Sequence, residues 1–179
     1  MNRKSFTAAA AAVLVSFGLV AAQQAEASSA APSPSIVDLV INSCDNPAPD
    51  AAPEFCILKA AVLAADPAVL ARLSSRGQVT VFAPTDQAFI NLLGELELGG
   101  LDDIDTATLT QVLLYHVVPG ARTAASVLPA TRLRTLQGGF LRQAGGVLTD
   151  KRGRDAAIIG VNIRASNGIV HVIDRVVLP

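Results

Sequence analysis

The chain has no tryptophan, one tyrosine, one methionine, two histidines and two cysteines in 179 residues. Such poverty excludes several function classes. Aromatics make up 4% of the residues, so no platform of stacked bases for nucleic acid is available. No serine lies in a G-x-S-x-G elbow, and no glycine-rich loop ends in the Lys that a phosphate site requires. Cys44 and Cys56, with no CxxC spacing and no clustered histidines beside them, do not read as a zinc site. With two histidines, His116 and His171, and no reactive thiol expected, the reading is non-enzymatic, without metal or cofactor. His171 and Asp174 are three apart on an expected strand, so their side chains point to opposite faces and form no relay.

What is present begins with an export signature. Arg3 and Lys4 precede an apolar stretch from Thr7 to Ala22, and Ala25-Glu26-Ala27 is an A-x-A cleavage site. Residues 1–27 therefore read as a signal peptide, 28–35 as a small-residue flexible tether, and 36–179 as one domain. No cysteine follows the apolar stretch to accept lipid, and no membrane anchor is expected. The protein should be exported, to a periplasm or the extracellular space. In that setting Cys44 and Cys56, which close a short proline-bearing loop, are expected to form a disulfide contributing about 3 kcal/mol.

Charge is unevenly distributed. Between Ser28 and Val118 eleven carboxylates face three cations, and from Pro119 onward nine cations face three carboxylates. Either the two halves neutralise one another in the fold, or the molecule presents a basic side to an acidic polysaccharide or to the acidic side of another copy.

Apolar periodicity gives the course of the chain. Ile36 to Ile41 and Phe55 to Leu73 read as short helices, with Asp66-Pro67 restarting the second. The β-branched run from Val79 ends at Ala-Pro-Thr-Asp: Pro84 keeps Ala83 extended, Thr85 is an N-cap, and Asp86 suits the positive end of the helix dipole. Another helix follows Asp105 or Thr106, with Leu109, Val112, Leu113 and His116 on its inward face. Tyr115 falls at the margin of that face, where a ring is buried and its hydroxyl stays hydrated. From Thr131 the period changes to short strands punctuated by glycine pairs. The stretch Ile169 to Leu178 is nearly continuous apolar sequence and reads as a central strand.

Three stretches, "TVFAPTDQAF" at 80–89, "LLYHVVPG" at 113–120 and "NGIVHVIDRVVLP" at 167–179, resemble the fasciclin domain. That resemblance spans residues 36–179 and implies an α+β fold, several short helices packed on a small wedge of β-strands. It implies adhesion or extracellular matrix binding rather than catalysis. By match to animal members Tyr115 and His116 would carry contact, while Thr85, Asp86, Asn167, His171 and Asp174 belong to the structural motif. Asn167-Gly168-Ile169 stands where some animal members have an Asp-Ile pattern, and "RGRD" at 152–155 only approximates an integrin tripeptide. Arg152 and Arg154 are further contact candidates through their charge. The expected partner is a cell-surface or matrix component, protein or acidic polysaccharide, with self-association by the charge split as another possibility. The competing function is a carrier of an apolar small molecule such as a carotenoid, as in some family members.

Overall fold

The computed structural model describes residues 33–47 and 54–179. The expected signal peptide, and all of the tether except its last three residues, lie outside the described residues. Those last residues are tied down: Pro34 O accepts the Ser166 amide, and Ser35 caps α1 (Ile36–Asp45) in a reciprocal box with Asp38. The Ser35 backbone N–H and side chain both bind the Asp38 carboxylate, which holds that acid below its ordinary pKa.

Local chemistry starts most of the other helices. Asp66 caps α3 (Pro67–Ser74), with Pro67 in the first turn, where its missing N–H is no loss. Thr85 Oγ1 accepts the Ala88 amide to start α4 (Asp86–Glu95), and Asp105 accepts the Thr108 amide to start α5 (Thr106–Tyr115). One exception is α2 (Cys56–Ala64). Phe55 precedes it in a left-handed conformation at φ 66° and offers no side-chain cap. Instead the Asp86 carboxylate reaches over from α4 and accepts the Cys56 and Ile57 amides at 3.1 and 2.8 Å. One acid therefore serves the positive ends of two helices. The Cys44–Cys56 disulfide is formed and joins α1 to α2.

Seven strands form one mixed sheet: β1 (Val79–Pro84), β2 (Val117–Pro119), β3 (Arg132–Arg134), β4 (Phe140–Ala144), β5 (Val147–Thr149), β6 (Asp155–Ala165) and β7 (Gly168–Ile173), in the order β2-β1-β7-β6-β5-β4-β3. Only β1 and β7 run parallel. A short helix, α6 (Ala124–Val127), which periodicity did not indicate, lies between β2 and β3. The runs around Ile158 to Ile163, which look separate in the sequence, are one strand with two register shifts. Such bulges bend a strand. The first residues of β6 pair with β5 and its later ones with β7, so this bent strand joins the two parts of the sheet.

Two apolar cores result. Val79, Val81 and Ala83 of β1 join the helices in the larger one, while Phe82, pointing the other way, joins Tyr115, Leu133, Leu141 and Leu148 in the second, inside the β wedge. Val117 and Val118 divide between the cores in the same way.

The expected last strand is shorter than its apolar sequence. Strand pairing ends at Ile173, where the Asp174 carboxylate takes the Ala157 amide at 2.7 Å. Val176, Val177 and Leu178 remain buried, but their backbone is satisfied by side chains rather than by a neighbouring strand. Val177 N–H donates to His116 Nε2 at 3.1 Å, Leu178 N–H to Asp150 at 3.0 Å, and the Arg154 guanidinium donates to Val176 O at 2.9 Å.

Candidate functional site

The meander β3-β4-β5 alternates strictly. Leu133, Leu141 and Leu148 point into the wedge and are at most 1% exposed, so Arg132, Arg134, Phe140 and Arg142 must point outward. Register then sets Arg132 opposite Arg142, and Arg142 opposite Thr149. A row of two cations and a hydroxyl crosses the sheet. The Arg132 guanidinium lies 4.2 Å from the Phe140 ring centroid, a cation–π contact that restrains it. These side chains, with Lys151 and Gly153, border a concavity of about 540 Å³.

Of the residues that the sequence offered for contact, Tyr115 lines this concavity, and His116, Arg152 and Arg154 do not. Tyr115 is 1% exposed, not marginal, and its hydroxyl donates to Phe140 O at 2.8 Å rather than to water. The reason is the β3–β4 turn, which folds over the ring: a Cβ added at Gly139 would come within 2.8 Å of it. Burial, and next the Asp150 charge, push the Tyr115 pKa upward. His116 is buried as expected, but as a backbone bridge, with Nδ1 2.7 Å from Val112 O and Nε2 accepting from Val177. Those partners require the neutral ring protonated on Nδ1. Burial, its largest influence, lowers the His116 pKa to about 4.

Arg154 is likewise occupied. Besides Val176 O it binds Asp150 at 3.0 Å and Glu95 at 3.2 Å. Asp150 is the centre of this corner, accepting the amides of Arg152, Arg154 and Leu178 together with Arg154 Nε. Burial alone would raise its pKa, but the Leu178 and Arg154 amides and the Arg154 side chain outweigh it, and the carboxyl is held below its ordinary value. Arg152 is exposed.

The motif residues are structural ties. Asn167 accepts the Ile36 amide and donates to Leu73 O and Ser75 O, joining the start of α1 to the end of α3. His171 stacks on Phe82, its Nε2 2.9 Å from Arg122 O, and burial lowers its pKa. Asp174 is engaged with Ala157, so His171 and Asp174 bind separate partners. Neutralisation between the halves is narrow: among the described residues, ion pairs that cross them run only from Glu95, to Arg154 and Arg175. Arg132, Arg142 and Lys151 have no carboxylate within ion-pair distance among the described residues. Nor does any cluster of three metal-ligating side chains occur among those residues.

A second cavity, about 240 Å³, lies between α1, α2, α3 and the sheet, lined by aliphatic side chains including Ile36, Val40, Leu58, Val62 and Leu70. The signal that could have found the basic row is the R-L-R and F-L-R alternation flanking Gly138-Gly139. The aliphatic cavity had no such signal, because a void depends on how three helices seat.

A family model of the fasciclin domain matches residues 53–179. The chain belongs to the fasciclin family. A cyanobacterial relative, protein sll1483 of Synechocystis sp., is 42% identical over 129 residues, 70% of this chain and 67% of that protein. The cell surface glycolipoprotein MPB83 of Mycobacterium bovis is 32% identical over 105 residues, 58% of this chain but only 44% of its own length. A solved FAS1 domain pair from the insect cell adhesion molecule fasciclin I superposes with a TM-score of 0.53 at 23% identity, covering 66% of this chain and 43% of that one. The fold of this fasciclin domain is thus the α+β architecture expected from its motifs. No helix among the described residues is long and apolar enough to cross a membrane.

Proposed function

We propose that this fasciclin domain is exported and adheres, without catalysis, to an acidic polymer of the cell surface or matrix. The single observation that carries it is the outward row Arg132–Arg142 with Lys151, cations left without carboxylate partners among the described residues beside a concavity. Family membership adds support, and so does the likeness to a mycobacterial protein named for the cell surface. Contact falls to these cations and to exposed Arg152. Tyr115 lines the wall behind them, Arg154 holds it through Asp150, and His116 lies away from it, tied to Val112 and Val177. The test is retention of the full chain on beads bearing alginate against beads bearing neutral dextran. Retention on alginate alone, reversed at about 1 M salt where the screening length is about 3 Å, is the expected result. Equal behaviour on both beads refutes it.

The aliphatic cavity supports a second reading, carriage of an apolar small molecule. At about 240 Å³ it is smaller than the roughly 300–1,000 Å³ usual for ligand sites, so a molecule as long as a carotenoid would need α1 to move outward. A visible absorption band, or an added apolar mass in the native mass spectrum of protein from its own host, would favour carriage. A colourless protein of unmodified mass would count against it.

A further inference from the structure

Two like charges directly opposite one another in an antiparallel pair destabilise a sheet. Arg132 and Arg142 stand so, with no carboxylate within ion-pair distance of either among the described residues. Asp155, at the far end of the row, accepts the Thr149 hydroxyl at 2.7 Å and forms no ion pair with either arginine. Asp150, the acid at the concavity wall, already accepts four hydrogen bonds. The site is therefore a concavity lined by three cations, Arg132, Arg142 and Lys151, with Asp150, itself paired to Arg154, and Pro179 also on its wall.

The shape narrows which anion. A bare ion would leave more of about 540 Å³ unfilled than a sugar ring carrying a carboxylate, and adjoining units of a polymer would fill more still. Phe140, 44% exposed at the rim, offers an apolar plate for the C–H face of such a ring. The Arg132 guanidinium lies over one face of the Phe140 ring, 4.2 Å from its centroid, so a sugar would meet the part of the ring that Arg132 leaves open. Guanidinium forks match a carboxylate with two parallel hydrogen bonds, which a lysine cannot do.

We propose that this concavity binds one uronate unit of an acidic polysaccharide, its carboxylate between Arg132 and Arg142 and its ring against Phe140. The assignment rests on the adhesive function above and gives it a recognition subsite. Lys151 adds a flexible charge for the neighbouring unit of the polymer.

The test is calorimetric titration of the full chain with a galacturonate trimer, its methyl ester, a triglutamate peptide and inorganic phosphate. Arg132→Gln, Arg142→Gln and the double variant are compared with Arg164→Gln, an exposed arginine on β6 away from the concavity. Saturable binding of the acid trimer, at least about tenfold weaker for the ester and weakened roughly tenfold or more by each pocket variant, is expected from loss of a charge-assisted hydrogen bond. Arg164→Gln should bind as the parent does. The double variant should melt at the same temperature or higher, because opposed like charges are removed. Equal affinity for triglutamate or phosphate overturns the sugar assignment, and so does undiminished binding by the double variant. If that variant is still retained on alginate, the polymer binds elsewhere and the adhesive function stands. Failure of the parent chain to bind any acidic polymer removes both.

Discussion

In the helical layer, polar ends are mostly closed by near neighbours, Ser35 for α1, Asp66 for α3, Thr85 for α4 and Asp105 for α5. In the β wedge and the final segment the ties span long stretches of chain. His116 meets Val177 across 61 residues, Asp150 meets Leu178 across 28, and Asn167 reaches Leu73 across 94 and Ile36 across 131. A local cap forms with its helix and can be lost with it alone. A long tie forms only when the whole domain closes, so its loss should be felt everywhere. Asp86 belongs to both kinds, sitting in the first turn of α4 and capping α2 from a distance.

The largest way to break the comparison is Gly168→Ala. Gly168 pairs with Val79 where the parallel strands begin, and an added Cβ would collide with the Val79 carbonyl oxygen. We expect a loss of about 4 kcal/mol or more, read as failure to give a cooperative unfolding transition. A stable Gly168→Ala protein would mean that the β1–β7 pairing is looser than described.

Next is Asn167→Ala, which removes three hydrogen bonds and strands the Ile36 amide and the Leu73 and Ser75 carbonyls. About 3 kcal/mol should be lost in urea unfolding, with hydrogen exchange accelerated in α1, α3 and β1 together. Acceleration confined to the 166–168 turn would show the tie to be local.

Acid should loosen the long ties through His116. Its folded pKa of about 4 lies below the ordinary histidine value of 6.5, so the unfolded chain binds the proton more readily. The stability it contributes is full above about pH 6.5 and falls by about 1.4 kcal/mol per pH unit as pH drops from 6.5 toward 4. The lowered pKa of His171 acts with the same sign. Urea unfolding at pH 7 and pH 5 should differ by about 2 kcal/mol, and His116→Gln should reduce that difference. A wild-type protein equally stable at both values refutes the neutral bridge between Val112 and Val177.

The smallest effect is expected from Thr85→Ala, which removes one cap in the helical layer. About 1 kcal/mol should be lost, equally at pH 7 and pH 5, with faster exchange limited to the first turn of α4. A pH-dependent loss would join this cap to the His116 network and erase the contrast between the two regions.

Much of this architecture could be read before folding was considered. Helix starts at Thr85 and Asp105, the Cys44–Cys56 bridge and the central position of β7 follow from residue types within a few positions of one another. Phasing also placed His116 inward. Tyr115 was misjudged because helical phase reports only the helix's own faces, and its ring is covered by a turn more than twenty residues later in the chain. The final strand was overextended for a related reason: burial demands apolar residues in 176–178, but strand pairing demands a neighbouring strand, and side chains fill that place.

By itself the sequence determined the period, the local helix caps, the disulfide and the outward side of each arginine in the meander, because these depend on residues near one another in the chain. Only tertiary structure decided that Arg154 is consumed by Asp150, Glu95 and Val176 while Arg132 and Arg142 face one another over a concavity. Charge has no period, and whether a cation finds a carboxylate depends on which distant segment the closed fold brings beside it.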